Sequence, residues 1–297
     1  MSSQLRYNLK RSLAQFRLFI GLDKEKIFPE FYAQANADVF IVSFPKSGRT
    51  WIRLMLGKYL ATLAGITVGN LLETYELTNS IQDFTIPIIA VVHDGSSFGG
   101  INLKAREMEK NKKRYRHKKV IFIVRDPRDV MVSYYLHCTH RRKVFRGHIS
   151  DFIRDQHFGI HKLIVFYNSW IAAQKMLKGF LLIKYENVHD HPGHELTKIL
   201  KFLDISVNDE LVKMAVEFAT FNNMRDMEER GRFESSRLVP GDKADTESYK
   251  VRKGIVGGYF DYLSQEDIDY LNKIINTELS HVFGYRHADC KVFQKET

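Results

Sequence analysis

Four short apolar runs alternate along the chain with segments of helical periodicity. The runs cover residues 39–43, 88–92, 120–124 and 180–183. Each run is continuously apolar rather than alternating, which is typical of strands buried on both faces of a parallel sheet. Because such a sheet needs helices on both faces, the pattern predicts a three-layer α/β/α fold with a central, mainly parallel sheet.

The segments between and after these runs predict amphipathic helices, in which apolar residues recur every three or four positions. The helices are expected at about residues 50–64, 158–177, 194–203, 209–218 and 264–279. Ser264 followed by Asp267 resembles a capping box, which marks the start of the last helix.

Length and pattern together predict one domain with an N-terminal extension. The chain has 297 residues, and we assign residues 1–35 to a helical extension and residues 36–297 to a single domain. Residues 231–258 are rich in Gly, Ser and charge, and their periodicity is weak. A loop of this length in a compact domain tends to be functional or disordered, so we expect a lid.

Cysteine usage and hydropathy indicate the compartment. The two cysteines, Cys138 and Cys290, form no disulfide framework, and the N-terminus has no continuous apolar stretch typical of a signal peptide. No apolar run reaches the ~20 residues of a membrane helix. We therefore expect a cytoplasmic protein without a transmembrane segment. An amphipathic N-terminal helix leaves peripheral membrane contact open.

The chain is basic, with a net charge of +10, which favours anionic ligands. Its densest run, residues 104–119, holds nine Lys or Arg against two Glu. We expect a solvated face there and no nucleic-acid partner, because no zinc finger, RNP box or helix-turn-helix accompanies the run. A non-catalytic binder of anionic polymers that uses this run is one alternative reading.

The stretch between the first strand and the first helix predicts a phosphate-binding loop. In the frame G-x-x-x-x-G-K-[ST], Gly48 and Thr50 match, Arg49 takes the lysine position, and Lys46 supplies a lysine three residues early. Unpaired N–H groups and the dipole at a helix N-terminus favour an anion at this place.

The end of the third strand indicates a second anion site. Arg125 stands there instead of a magnesium-holding carboxylate, and a guanidinium can bind a phosphate through two hydrogen bonds. Two separated cationic sites suit a nucleotide with a second, separate phosphate. An NTP-dependent P-loop kinase is the alternative enzyme.

Five blocks of the sequence resemble the PAPS-dependent sulfotransferases, where PAPS is 3′-phosphoadenosine 5′-phosphosulfate. FPKSGRTW at 44–51 resembles their phosphosulfate loop, commonly [YF]-P-K-[SA]-G-[TN]-T-W, and VIFIVRDPRDVMVSYY at 120–135 is similar to their 3′-phosphate block. YENV at 185–188, ATFNNM at 219–224 and VRKGIVGG at 251–258 resemble three further blocks in family order. HDG at 93–95 looks more like bacterial members than like the K-T-H of many animal cytosolic ones.

The resemblance implies a P-loop-like sulfotransferase fold with PAPS as donor and PAP as product. No metal is expected, because the sequence shows no carboxylate cage. It implies a phosphosulfate cradle of Lys46, Ser47, Gly48, Arg49, Thr50 and Trp51, with Trp51 against adenine. It implies that Arg125, Ser133, Arg252, Lys253 and Gly254 hold the 3′-phosphate, and that Tyr185, Thr220 and Phe221 line the adenosine.

The resemblance also implies a catalytic base, His93, at the end of the second strand. A histidine is suited to accept the proton that an acceptor hydroxyl loses. Lys46 and the helix N-terminus are expected to stabilise charge on the bridging oxygen. Asp94 is expected either to orient His93 or to bind the acceptor.

The sequence indicates an acceptor hydroxyl, with an amine as the alternative, and identifies neither the acceptor molecule nor the oligomeric state. Basic surroundings favour a carbohydrate or another anionic acceptor. Four residues follow Ser133 on what should be one continuous helix, and they either reach the acceptor mouth or form a solvated face: His137, His140, Arg141 and Arg142.

Overall fold

A four-stranded parallel sheet forms the centre of the computed structural model, which describes residues 35–67, 69–81, 85–96, 112–232 and 238–286. The strands are β1 (Val39–Ser43), β2 (Ile89–Val92), β3 (Lys119–Val124) and β4 (Gly179–Lys184). Their order is β2-β1-β3-β4, and every pairing is parallel. Each predicted strand agrees with an observed one to within one residue.

Helices connect and flank the strands in the described part of the chain. They are α1 (Arg49–Leu63), α2 (Thr74–Ser80), α3 (Pro127–Leu136), α4 (Ile149–Arg154), α5 (Ile160–Ala173), α6 (Tyr185–Asp190), α7 (Pro192–Phe202), α8 (Asp209–Phe218), α9 (Phe221–Arg230) and α10 (Gln265–Glu278). Short 3₁₀ turns lie at Lys113–Tyr115, Gln174–Met176, Thr246–Ser248, Gly258–Asp261 and His281–Phe283. The hydroxyl of Ser264 accepts a hydrogen bond from the backbone N–H of Asp267, so the predicted cap of the last helix is present.

Helices cover both faces of the sheet. Successive side chains of a strand point to opposite faces, so alternate residues of β1 belong to two different cores. Phe40 and Val42 of β1 join a core with α3, α5 and α10. Val39 and Ile41 join a second core with α1, α7 and α8. The prediction of a three-layer α/β fold with a parallel sheet is confirmed.

The helix that follows β3 does not continue as the sequence pattern predicts. The α-helix ends at Leu136 and widens into a π-helix over His137–Arg141. The N–H of Arg142 bonds to the carbonyl of His137 at 2.9 Å, which is the wider spacing of a π turn. The sequence predicted one helix here, and the helical segment is uninterrupted from Pro127 to Arg141, but its end is a π-helix and not an α-helix. π turns are often found at functional sites, and His137, the first residue of this one, lines the cavity described below.

The strand order brings three loops to one edge of the sheet. β1 lies between β2 and β3, and the register pairs Val42 with Val92 and Ser43 with Ile123. The residues that follow these three strands are consequently neighbours. A crevice at the carboxyl ends of parallel strands, where the strand order reverses, is where ligands bind in open α/β sheets.

The structure does not describe the two ends of the chain. The helical extension and the rest of residues 1–34 lie outside the described residues, as do residues 287–297, so the domain division stays a prediction. In the described ranges, none of the helices has the length and apolar character that crossing a membrane requires.

Candidate active site

The loop between β1 and α1 forms one wall of the crevice. Lys46 and Gly48 both adopt left-handed backbone angles, with φ of 70° and 87°. A Cβ at residue 48 would lie 2.3 Å from Cδ2 of Tyr185. Glycine is required there both for its backbone angle and for the close approach of the Tyr185 ring. The loop thereby delivers the first turn of α1, with its unpaired N–H groups, to the crevice.

A cavity of about 320 Å³ opens at this edge of the sheet. Most of the predicted site residues line it: Lys46, Gly48, Arg49, Thr50, Trp51, His93, Arg125, Ser133, Tyr185, Phe221, Arg252, Lys253 and Gly254. Two predicted residues do not line the cavity. Ser47, within the β1–α1 loop, is fully buried, and Thr220 is exposed one residue before α9 begins.

His93 directly follows β2 and faces the cavity. Its Nδ1 lies 2.8 Å from the carbonyl oxygen of Ser43. A carbonyl oxygen only accepts hydrogen bonds, so Nδ1 carries the hydrogen and Nε2 has the lone pair that can accept one. Nε2 lies 2.7 Å from Nη2 of Arg49. Burial lowers the pKa of His93 well below its usual range, and the nearby charges of Arg49 and Lys250 lower it further. The imidazole is therefore neutral at physiological pH and can accept a proton.

Lys46 is a second group with a strongly altered pKa. Burial lowers the pKa of its ammonium to about 7, and the positive charges of Arg141, Arg252 and Arg125 contribute. An anion close to such a group favours its charged form. Lys46 is consequently expected to take up a proton when an anionic ligand enters the cavity.

Asp94 does not line the cavity. Its carboxylate pairs with Lys112 and Arg114, and it accepts a hydrogen bond from the hydroxyl of Tyr115 at 2.8 Å. The expectation that Asp94 orients His93 or binds the acceptor was wrong, because the Ser43 carbonyl orients the imidazole.

The first described residue of the basic run, Lys112, is buried rather than solvated. Lys112 is only 4% exposed, and its Nζ also lies 4.6 Å from the centre of the Trp170 ring. Lys112 therefore stabilises the fold, whereas Lys113, Arg114, Arg116 and His117 are exposed, as the prediction of a solvated face requires. Residues 104–111 lie outside the described residues.

Arg125 follows β3 and lies at the other end of the cavity. Its Nη2 bonds to the carbonyl of Ile255 at 3.0 Å and to Asp129 at 3.2 Å. Its guanidinium carbon lies 4.3 Å from the centre of the Tyr185 ring. Its Nε is buried with no hydrogen-bond partner among the described residues. A buried donor without a partner costs free energy, and an anionic ligand would supply that partner.

Two carboxylates that the sequence did not single out fix the loop above Arg125. Asp129 accepts hydrogen bonds from the backbone N–H of Gly257 at 2.9 Å and of Tyr259 at 3.1 Å. Glu228, which is fully buried, accepts from the N–H of Lys250 at 2.7 Å. Both carboxylates hold segments that flank Arg252, so they position the block predicted to bind phosphate.

A model of the sulfotransferase domain matches residues 36–283 of the chain. The chain belongs to the sulfotransferase family. It is 23% identical to sulfotransferase 1B1 of the dog, over 93% of this chain and 94% of that protein. It is 23% identical to human sulfotransferase 2A1, over 83% of this chain and 86% of that protein. The prediction of a PAPS-dependent sulfotransferase enzyme is confirmed, and the kinase and non-catalytic binder alternatives are set aside.

Solved structures show the same fold at low identity. Mouse sulfotransferase SULT7A1 complexed with PAP aligns with a TM-score of 0.56 and 22% identity, over 82% of this chain and 84% of that one. Retinol dehydratase in complex with androsterone and inactive cofactor PAP aligns with a TM-score of 0.53 and 16% identity, over 83% and 84% of the two chains. The predicted closeness to bacterial members stays a prediction.

Lys250 is a cavity-lining residue of this sulfotransferase that sequence reasoning missed. It precedes the VRKG block by one residue and belongs to no motif. Burial, together with the charges of Lys46, Arg141 and Arg49, lowers the pKa of its ammonium well below the usual range. Arg49 and Lys250 are thus basic side chains close to His93, and Lys46 lies close to Lys250.

The four basic residues after Ser133 separate in the sulfotransferase structure. His137 lines the cavity, and burial, with Lys46 nearby, lowers its pKa to about 2. His140 pairs with Asp245 at 2.8 Å, and Arg141 pairs with Glu228 at 3.0 Å. The fourth residue, Arg142, is exposed. Of these four, only His137 lines the described cavity.

Proposed function

We propose that this sulfotransferase moves the sulfuryl group of PAPS to a hydroxyl of an acidic acceptor, with His93 as the general base. The observation that carries the proposal is the position of three side chains. His93, Lys46 and Arg125 follow three adjacent parallel strands and line one cavity. A neutral base and two separated cationic groups are thereby brought to a single ligand site.

The donor is proposed to bind along the cavity from the β1–α1 loop to Arg125. In this proposal Lys46, Gly48 and Thr50 hold the 5′ end together with the first backbone N–H groups of α1, which include that of Arg49. Ser47 is left out, because it is buried and does not line the cavity. Trp51, Tyr185 and Phe221 flank the adenosine, and Trp51 and Tyr185 lie with their ring centres 6.0 Å apart. We leave Thr220 out of this group, because it is exposed and does not line the cavity.

The 3′-phosphate is proposed to bind Arg125, Ser133, Arg252, Lys253 and Gly254. The partnerless Nε of Arg125 supports this assignment. A Cβ at residue 254 would lie 2.5 Å from Cδ2 of Phe221, so glycine lets this loop approach the adenosine side. Lys253 pairs at 2.8 Å with Asp261. A phosphate would compete for this exposed cation, because charge-assisted bonds to phosphate are strong.

The transfer step is proposed to use two residues at the β1 and β2 ends. Nε2 of His93 accepts the proton that the acceptor hydroxyl loses while its oxygen bonds to sulfur. Lys46 donates to the bridging oxygen, which keeps the electron pair of the breaking S–O bond and leaves as part of PAP. Nδ1 of His93 stays on the Ser43 carbonyl, which keeps Nε2 directed at the cavity.

The acidic acceptor is proposed because the cavity holds more cations than the donor uses. Lys46 serves the phosphosulfate, and Arg125 with its partners serves the 3′-phosphate. The side chains of Arg49 and Lys250 lie beside His93, where the acceptor hydroxyl would react. An acidic carbohydrate is one acceptor class that fits this charge.

Two measurements test the proposal. Calorimetry in EDTA should show that PAP binds in preference to ATP, and that Arg125→Met weakens PAP while the exposed Lys201→Met does not. Labelled PAPS offered to hydroxyl acceptors should then yield a sulfated product without added metal. ATP binding that needs magnesium and the γ-phosphate, with no PAP binding, would overturn it.

A further inference from the structure

Arg49 occupies the place that the reacting hydroxyl must take. Its Nη2 lies 2.7 Å from Nε2 of His93, and a general base must come within about 2.6–3.2 Å of the group it deprotonates. Nδ1 already bonds to the Ser43 carbonyl. Arg49 therefore occupies Nε2, the His93 nitrogen that would have to receive the proton of the acceptor hydroxyl.

The phosphosulfate-loop motif commonly has Thr or Asn where this chain has Arg49. Those side chains are much shorter than an arginine. Arg49 opens α1 directly after Gly48, so its backbone remains in the loop while its guanidinium extends to the end of β2. This chain thus adds a cation beside the base at a position within the donor loop.

We propose that Arg49 and Lys250 form a subsite for an acidic group of the acceptor that lies a few bonds from the reacting hydroxyl, and that this group draws Arg49 off His93. The inference rests on the proposed function of the same cavity. It names a carboxylate, sulfate or phosphate ester close to the hydroxyl as the feature that the enzyme recognises.

The energetics favour such an exchange. A guanidinium bound to a neutral imidazole makes one hydrogen bond, whereas a carboxylate or sulfate offers two charge-assisted bonds of roughly twice the strength each. A neutral acceptor would displace Arg49 from His93 and offer the guanidinium no anion in exchange. The loss of that buried hydrogen bond is expected to weaken such an acceptor roughly ten- to hundredfold.

Lys250 completes the subsite from the opposite loop. Its backbone N–H is held by the buried carboxylate of Glu228 at 2.7 Å, so its position in the cavity is fixed. The charged and titratable groups that act on His93 are Arg49, Lys250 and His137. His137 is neutral, and Arg49 is the permanent cation beside His93. Burial lowers the pKa of Lys250, and an acceptor anion would favour its charged form.

The length of Arg49 limits how far the acid can lie from the hydroxyl. Its guanidinium is tethered to the first residue of α1 and begins in contact with Nε2. It can pair only with an acid that arrives next to that nitrogen. An acidic group on the far side of the acceptor carries the same charge, but Arg49 would contribute less to the binding affinity of such an acceptor.

The test measures binding of three probes to the complex of the enzyme with PAP, which requires no turnover. Mandelate carries a carboxylate on the carbon next to its hydroxyl, methyl mandelate lacks the charge, and 4-(hydroxymethyl)benzoate carries the charge across the ring. Mandelate should bind at least about tenfold more tightly than either of the others. In ¹⁵N spectra, its binding should shift Nε2 of His93 as the Arg49 donor is replaced.

Two variants make the readout specific to Arg49. Arg49→Thr should reduce the preference for mandelate to less than about twofold, and should raise the pKa of His93 seen in the same spectra, because a neighbouring cation is removed. Lys201→Thr removes one exposed charge elsewhere and should change neither. Equal binding of the three probes to the wild-type complex, or an unchanged preference in Arg49→Thr, would overturn the inference. Failure of PAP itself to bind would instead overturn the proposed function.

Discussion

The carboxylate of Glu228 accepts a hydrogen bond from the backbone N–H of Lys250 at 2.7 Å. The same carboxylate accepts from the N–H of Val251 at 2.8 Å and pairs with Arg141 at 3.0 Å. Glu228 is fully buried on α9. A single side chain thus fixes the backbone directly ahead of Arg252, which is proposed to bind the 3′-phosphate.

Glu228→Gln should weaken PAP binding and lower the melting temperature. The amide retains one acceptor oxygen, but it loses the charge that compensates the buried Arg141, and breaking a buried pair costs about 3–5 kcal/mol. We expect the dissociation constant for PAP to rise about tenfold, which corresponds to about 1.4 kcal/mol. Calorimetry and thermal melting measure both effects.

The neighbouring Glu229→Gln is the matched control. Glu229 pairs with Arg225 one turn earlier, and its side chain is 51% exposed. Exposed pairs of this kind contribute little to stability. If the two variants lose the same PAP affinity, the Glu228 carboxylate does not position the loop.

PAP affinity should fall as the pH rises above about 7. The pKa of Lys46 is lowered to about 7 by burial and neighbouring cations, and a bound phosphate favours the protonated ammonium. Binding should therefore take up a proton in the window above pH 7, with up to about a tenfold loss of affinity per pH unit. Calorimetry in buffers with different ionisation enthalpies detects this uptake.

Lys46→Arg separates charge from titration. Arginine stays protonated at every accessible pH, so this variant should bind PAP without proton uptake. Lys58→Met, on the α1 helix that follows the Lys46 loop and over the Phe218 ring, should keep the wild-type pH dependence. An affinity that stays constant from pH 6.5 to 9 in the wild type would show that Lys46 does not contact the ligand.

The loop predicted as a lid should respond to PAP unevenly. The amides of Lys250, Val251, Gly257 and Tyr259 already donate to buried carboxylates, so hydrogen exchange should find them protected without ligand. Residues 252–256 should gain protection when PAP binds, because they are proposed to contact its 3′-phosphate. Equal exchange with and without PAP would mean that this segment does not close over the nucleotide.

Much of the fold could be predicted because the relevant signals are local. Continuous apolar runs gave β1 to β4 to within one residue, and the Ser264 cap was readable from neighbouring residues. The positions that follow three strands then fell at one edge of a parallel sheet. That geometry brought His93, Lys46 and Arg125 together without knowledge of any long-range contact.

The errors and omissions concern contacts between residues distant in sequence. Asp94 follows the predicted base directly, yet its partners Lys112 and Arg114 come from the basic run, and it does not line the cavity. Glu228 looks like any charged residue of a surface helix, because its burial depends on how α9 packs. Lys250 belongs to no motif. The sequence carried no local signal for these contacts.

Single-turnover transfer from PAPS by His93→Ala tests the central claim most directly. The variant removes the proposed base and leaves the donor contacts in place, so PAP affinity should stay within about twofold while the transfer rate falls by about 10² or more. His189→Ala, which alters another histidine lining the same cavity, should transfer at close to the wild-type rate. A His93→Ala enzyme that binds PAP and transfers at the wild-type rate would contradict the account, because another group would then accept the proton.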